Sequence, residues 1–112
     1  KEIIFDHTLV TAAVLDRSNR NRQREDMITP LMSLRDSLPL WEQHFAPRLK
    51  EIRHPTLILW GEQDRLFPPQ VGRDLQTTIP QARLIMIPEA GHIPQWEQPQ
   101  VVNRHITEFL QP

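Results

Sequence analysis

The chain has 112 residues, 38% of them hydrophobic, a formal net charge of -1 and a mean hydropathy of -0.49. That length allows one small domain with its own core, and the near-neutral balance (nine basic and eight acidic side chains in residues 1–54, four and six in residues 55–112) gives no basis for a nucleic-acid or acidic membrane surface. The absence of cysteine excludes disulfides and thiolate metal sites, and no apolar stretch approaches the ~20 residues of a membrane-spanning helix.

Leu9, Val10, Ala13 and Val14 recur at helical spacing and predict an amphipathic helix over residues 6–16. Arg17 to Arg24 contains no apolar residue and reads as a loop or a fully solvated helix turn. Its four arginines lack interleaved aromatics and read as a solvated linker rather than an anion site. A second helix is predicted over residues 24–38, with Met27, Ile28, Leu31, Leu34 and Leu38 on one side and Pro30 in its first turn. Phe45, Leu49 and Ile52 form a last short apolar stripe, interrupted by Pro47. A hinge near His54-Pro55 separates this helical region, residues 1–54, from a more regular one, residues 55–112.

Thr56–Trp60 is apolar and rich in branched side chains, which suits a strand buried on both faces of a parallel sheet. Pro68 and Pro69 open a helix in which Val71, Leu75 and Ile79 fall four apart, and Pro80 closes it. Arg83–Ile87 is a second buried strand. Pro99 begins a final helix with Val102, Ile106, Phe109 and Leu110 on its inner face. Strand, helix, strand, helix is a βαβα unit, so the two strands are expected to be parallel.

Residues just past the carboxyl ends of parallel strands emerge on the same edge of the sheet, where open α/β sheets place their ligands. Asp64 lies four residues beyond Trp60, and His92 lies five beyond Ile87. If the strands are neighbours, carboxylate and imidazole meet. A histidine titrates near neutrality, about pH 6.5 in an unperturbed setting, and serves there as a general base. An ionised aspartate on one ring nitrogen fixes the tautomer and leaves the other nitrogen free to take a proton from a serine hydroxyl. No Gly-x-Ser-x-Gly occurs. The only glycines are Gly61, Gly72 and Gly91, and none flanks a serine at elbow spacing. Ser33 and Ser37 sit in a helical pattern and are poor nucleophiles.

With these residues in view, His54–Leu110 resembles the carboxyl-terminal third of an α/β-hydrolase. Pro55-Thr56-Leu57-Ile58-Leu59-Trp60-Gly61-Glu62-Gln63-Asp64 is similar to the family's acid-bearing strand and turn. Pro88-Glu89-Ala90-Gly91-His92, followed by Gln95-Trp96-Glu97-Gln98-Pro99, is similar to its histidine loop and last helix. Residues 1–54 resemble a lid and connector remnant. The resemblance implies an incomplete α/β-hydrolase with Asp64 and His92 as catalytic acid and base, in the family's chain order of Ser, Asp, His. The nucleophile is then expected upstream of Lys1, and the chain alone is expected to be inactive. Gln-Trp-Glu after the histidine is similar to carbon–carbon-bond hydrolases, although the aromatic residue those carry directly after the histidine is Ile93 here. Ester hydrolysis fits equally well. Epoxide hydrolases and haloalkane dehalogenases, with an aspartate nucleophile upstream, stay open, as does a non-catalytic binding or dimerisation module built on the same scaffold.

Leu66, Phe67, Ile93 and Trp96 are the candidate substrate-pocket residues. Glu62 and Glu89 read as solvated carboxylates. A metal site from Asp64, Glu89 and His92 matches no ligand spacing, and neither a metal nor another cofactor is expected. His7, His44, His54 and His105 read as structural or exposed. The expected partners are a small-molecule substrate and either the upstream portion of the same hydrolase or a second copy of this chain, because an unpaired inner strand edge invites pairing. Neither a nucleic-acid nor a membrane partner is indicated. No secretory signal is visible and a cytoplasmic setting is the expectation. The chain begins at Lys1 rather than Met, so a native amino terminus is expected to precede it.

Overall fold

The computed structural model describes residues 3–111, and within that span it leaves undescribed the side chains of Glu25, Met27, Leu31 and Trp41. The helix-face expectation for Met27 and Leu31 therefore lies outside the described residues. Two compact units divide the described chain. Val10–Leu49 forms one, and residues 3–9 together with 50–111 form the other.

The first unit is helical. Its opening helix, α1, spans Ala12–Arg22, later than the spacing of apolar residues predicts. The delay has a local cause. The Asp6 carboxylate accepts hydrogen bonds from the Thr8 amide at 2.9 Å and the Thr8 hydroxyl at 2.6 Å, which diverts the backbone into a single 3-10 turn, His7–Leu9. Thr11 then caps α1, its hydroxyl accepting from the Val14 amide at 3.3 Å. The arginine-rich stretch is helical through Arg22 and fully solvated, with Arg20 paired to Asp16 one turn earlier.

Helix α2 spans Glu25–Phe45 and runs through both Pro30 and Pro39. Pro30 is thus not confined to a first turn, and each proline forfeits one backbone hydrogen bond of the helix. A 3-10 stretch, Ala46–Glu51, follows and contains Pro47. α1 and α2 pack on each other. Their apolar side chains, including Leu15, Ile28, Met32, Leu34, Leu38 and Leu40, stay largely exposed.

The second unit is the expected βαβα arrangement. Strand β1 (Thr56–Gly61) pairs in parallel with β2 (Ala82–Ile87), from Thr56 opposite Ala82 to Gly61 opposite Ile87. Between them α3 (Pro69–Thr78) starts on its proline pair and stops before Pro80, with the Ile79 amide bonded back to the Leu75 carbonyl at 2.9 Å. A one-turn helix, α4 (Pro94–Glu97), which the periodicity does not reveal, precedes α5 (Pro99–Leu110). Ile87, Ala90 and Val102 are the centre of the core, with Leu59, Ile85 and Val101 packed against them. The strands are less buried than expected. Leu57, Ile58, Leu59 and Trp60 are half-buried, because each strand of this sheet has a single strand neighbour. Gly72 lets α3 approach the Trp60 indole closely, since a Cβ there would sit 3.1 Å from the ring.

Candidate active site

The β1 and β2 ends approach each other so closely that Gly61 admits no side chain. A Cβ on it would fall 1.9 Å from the Gly91 carbonyl oxygen and 2.5 Å from that of Ala90. The pairing continues past the strands. Glu62 donates to the Ile87 carbonyl at 3.0 Å and Gln63 donates to the Ala90 carbonyl at 2.9 Å. The Gln63 side-chain oxygen accepts from the Ala90 amide at 3.1 Å. These bonds fix the loop that carries Asp64 against the loop that carries His92.

Asp64 and His92 meet at the carboxyl edge of the sheet, with His92 Nδ1 2.9 Å from Asp64 Oδ2. An ionised carboxylate can only accept, so Nδ1 carries the proton and Nε2 presents its lone pair. Asp64 Oδ1 accepts from the amides of Leu66, at 2.9 Å, and Phe67, at 3.0 Å, which locks the carboxylate plane. The Asp64 side chain is 4% exposed and that of His92 is 31% exposed, so the acid is enclosed while the imidazole is open to an incoming group. Burial pushes the Asp64 carboxyl up. Hydrogen bonds from His92 and from the Phe67 and Leu66 amides outweigh it and hold the group below the usual aspartate range.

A cavity of about 150 Å³ adjoins the pair, lined by Leu59, Trp60, Gly61, Asp64, His92, Pro94 and Gln95. None of the four pocket candidates lines it. Leu66 and Phe67 turn their backbone amides inward to Asp64, and each side chain is about half exposed. The Phe67 ring still lies 5.4 Å from the imidazole, tilted by 49°. Ile93 is half-buried, and Trp96 is 38% exposed on α4. Glu62 and Glu89 are exposed, and Glu89 adopts a left-handed backbone (φ 53°) in the turn ahead of His92. Among the described residues no group of three His, Cys, Asp or Glu side chains is arranged to hold a metal ion.

Three features escape the sequence reading. Gln63 ties the two loops. Glu97, 9% exposed, receives hydrogen bonds from both Gly91 and Ile93, the neighbours of His92. The segment from Ile3 to Asp6 lies against the histidine loop, with the His92 amide donating to the Ile3 carbonyl at 2.7 Å. Only Glu97 leaves a trace in the sequence, as an acidic residue one turn into a helix opened by Pro94.

A family model described as the alpha/beta hydrolase fold matches residues 7–99. The chain is 33% identical over 108 residues to a 2-hydroxy-6-oxononadienedioate/2-hydroxy-6-oxononatrienedioate hydrolase of Comamonas testosteroni. It is 34% identical over 108 residues to a 2-hydroxy-6-oxo-6-phenylhexa-2,4-dienoate hydrolase of Burkholderia cepacia. Each match covers 96% of this chain, and the chain spans 38% of the length of each relative. In fold, it is similar to an alpha/beta hydrolase from a lagoon-sediment metagenome of Mar Chica, Morocco, with a TM-score of 0.71 over 88% of this chain and 44% of that one at 24% identity.

Proposed function

This chain belongs to the α/β-hydrolase fold family, and from that premise we propose that it supplies the acid and the base of a serine-type catalytic triad. The observation that carries the reading is the Asp64–His92 pair, 2.9 Å apart, with the acid enclosed and the base accessible. Asp64 orients the imidazole and stabilises its cation. His92 Nε2 takes the proton of a serine hydroxyl as that oxygen attacks the substrate carbonyl, and returns it to the leaving group. An acyl-enzyme forms and water releases it, with His92 again as the base. No residue of these 112 fits the nucleophile. The serine and the oxyanion-hole donors belong to an upstream portion of the same hydrolase or to a partner chain, and these residues alone do not turn over.

In this reading residues 1–54 are lid and connector, and residues 55–112 are the carboxyl-terminal part of the hydrolase core. The substrate is a small molecule cleaved at an ester or at a carbon–carbon bond next to a carbonyl. The names of the two curated relatives support the latter, since hydrolysis of a 2-hydroxy-6-oxo-dienoate separates two carbons. The Phe67 ring, 5.4 Å from the imidazole, flanks the approach to His92, while Leu59, Trp60, Pro94 and Gln95 line the adjoining cavity.

The test begins with the intact mass of the natural polypeptide. The native protein is then exposed to a fluorophosphonate probe and assayed on an aryl ester and a 2-hydroxy-6-oxo-dienoate. Labelling and turnover that both collapse in His92→Gln support the reading. Turnover that survives His92→Gln sinks it, and so does an inert native protein consisting of these 112 residues alone.

A further inference from the structure

We propose that Glu97 is a positioning residue for His92, a carboxylate clamp that holds the histidine loop by its main chain and ties it to the segment Ile3–Asp6. As positioning of a base, the inference rests on the reading of His92 given above. Burying a carboxylate is costly unless its oxygens are satisfied, and Glu97 has no ion-pair partner among the described residues. Its counterbalance is four backbone amides. Oε1 accepts from Gly91 at 2.8 Å and Ile93 at 3.4 Å, the residues on either side of His92. Oε2 accepts from Phe5 at 2.6 Å and Asp6 at 3.3 Å. Hydrogen bonds to an ionised acceptor are roughly twice as strong as neutral ones. The amide between the first two, that of His92 itself, donates to the Ile3 carbonyl at 2.7 Å. Three successive N–H groups, 91 to 93, are therefore committed, and the His92 backbone cannot rotate away from Asp64.

Two further features belong to the same device. The single turn of α4 brings Glu97 back beneath the loop, because its amide bonds to the Ile93 carbonyl at 3.1 Å. Gly91 leaves the space the clamp occupies. A Cβ there would meet Ile3 O at 2.7 Å, Phe5 N at 3.0 Å and Glu97 Oε1 at 3.2 Å. The division of labour between the two oxygens makes the clamp specific for glutamate. A glutamine offers one acceptor oxygen and turns an NH₂ group toward amide donors on the other side, so it can serve the histidine loop or the Ile3–Asp6 segment, but not both.

The experiment is NMR on the isotopically labelled native polypeptide that carries these residues, wild type against Glu97→Gln and Glu97→Asp. Hydrogen exchange is read at Phe5, Asp6, Gly91 and Ile93, the Asp64 carboxyl is titrated, and exchange along the β1–β2 ladder monitors the fold. In Glu97→Gln one of the two pairs of amides, Gly91 with Ile93 or Phe5 with Asp6, is expected to exchange about tenfold faster or more, because the single acceptor oxygen serves only one pair. The Asp64 midpoint should rise toward the ordinary aspartate value while the ladder keeps wild-type protection. Glu97→Asp keeps the charge but shortens the reach, and should show the same pattern more weakly. The proposal is overturned if all four amide rates stay at wild-type values in Glu97→Gln. It is equally overturned if the ladder loosens as much as the loop in both variants, which would make Glu97 a general prop of the fold. None of these signals requires turnover, so the clamp can fail while the Asp64–His92 reading stands, and a catalytically dispensable His92 would not disturb them.

Discussion

Replacing Gly61 by alanine puts a methyl group where the structure has backbone. The new Cβ would lie 1.9 Å from Gly91 O, 2.5 Å from Ala90 O and 2.9 Å from Ala90 C, whereas real Cβ atoms essentially never come within 3.0 Å of a neighbour. The end of β1 and the histidine loop must therefore separate by more than an ångström, and no flexible side-chain end is available to yield. Three hydrogen bonds depend on that approach: Glu62 to Ile87, Gln63 to Ala90, and Ala90 to the Gln63 side chain. Forced expansion of a packed site costs about 1–3 kcal/mol, and each lost hydrogen bond adds about 0.5–1.5 kcal/mol. The expected loss with all three bonds broken is about 2.5–7.5 kcal/mol, a large share of the ~5–15 kcal/mol of a typical domain.

Urea unfolding followed by tryptophan fluorescence measures it, and Gly72→Ala is the matched comparison. There the Cβ would meet the Trp60 ring at 3.1 Å, a side chain able to shift, and helix propensity gains about 1 kcal/mol, so a change within about 1 kcal/mol of zero is expected. A Gly61→Ala protein as stable as Gly72→Ala, with the His92 Nδ1 proton still hydrogen-bonded, would refute the close-approach argument.

Ile87, fully buried at the end of β2, should cost about 2–5 kcal/mol as Ile87→Ala and about 0.5–1.5 kcal/mol as Ile87→Val in the same urea assay. Asp64→Asn keeps an oxygen for the Leu66 and Phe67 amides but turns an NH₂ toward His92. The favoured tautomer then carries its proton on Nε2, where the base needs a lone pair. On the proposed triad reading, ester or dienoate turnover by the native protein should fall on the order of 10⁴-fold with little loss of fold, as it does for this substitution in a serine-protease triad, and an undiminished kcat would count against that proposal. The folded-state pKa of Asp64 is lowered, so its contribution to stability is present above the unfolded-state value and disappears as pH falls through the folded-state value. Chemical denaturation from pH 6 downward should show stability falling below about pH 4, and Asp64→Asn should make that fall shallower. An identical acid slope in the two proteins would remove Asp64 from the account.

The βαβα unit was legible because its signals are local and agree with one another. Apolar runs the length of a strand, a proline pair at the start of α3 and Pro80 after it each dictate a backbone state within a few residues. The helical region was less legible, and its errors were local competitions. The Asp6 side chain captured Thr8 and delayed α1 to the Thr11 cap, and α2 ran on through two prolines that the pattern alone would place at its edges.

For the site, the amino-acid order alone placed Asp64 and His92 on neighbouring loops, because parallel strands joined by one helix must release their carboxyl ends on one edge. Order and periodicity could not fix the distance between them. That was decided by contacts far apart in the chain: the backbone-to-backbone approach at Gly61, the Gln63 bridge to Ala90, and the Glu97 carboxylate gathering the amides of Phe5 and Asp6, some 90 residues away, with those of Gly91 and Ile93. Local pattern determines which elements form and which way they point. The precision of a hydrogen bond between two loops is set by long-range backbone contacts that leave no periodic mark in the sequence.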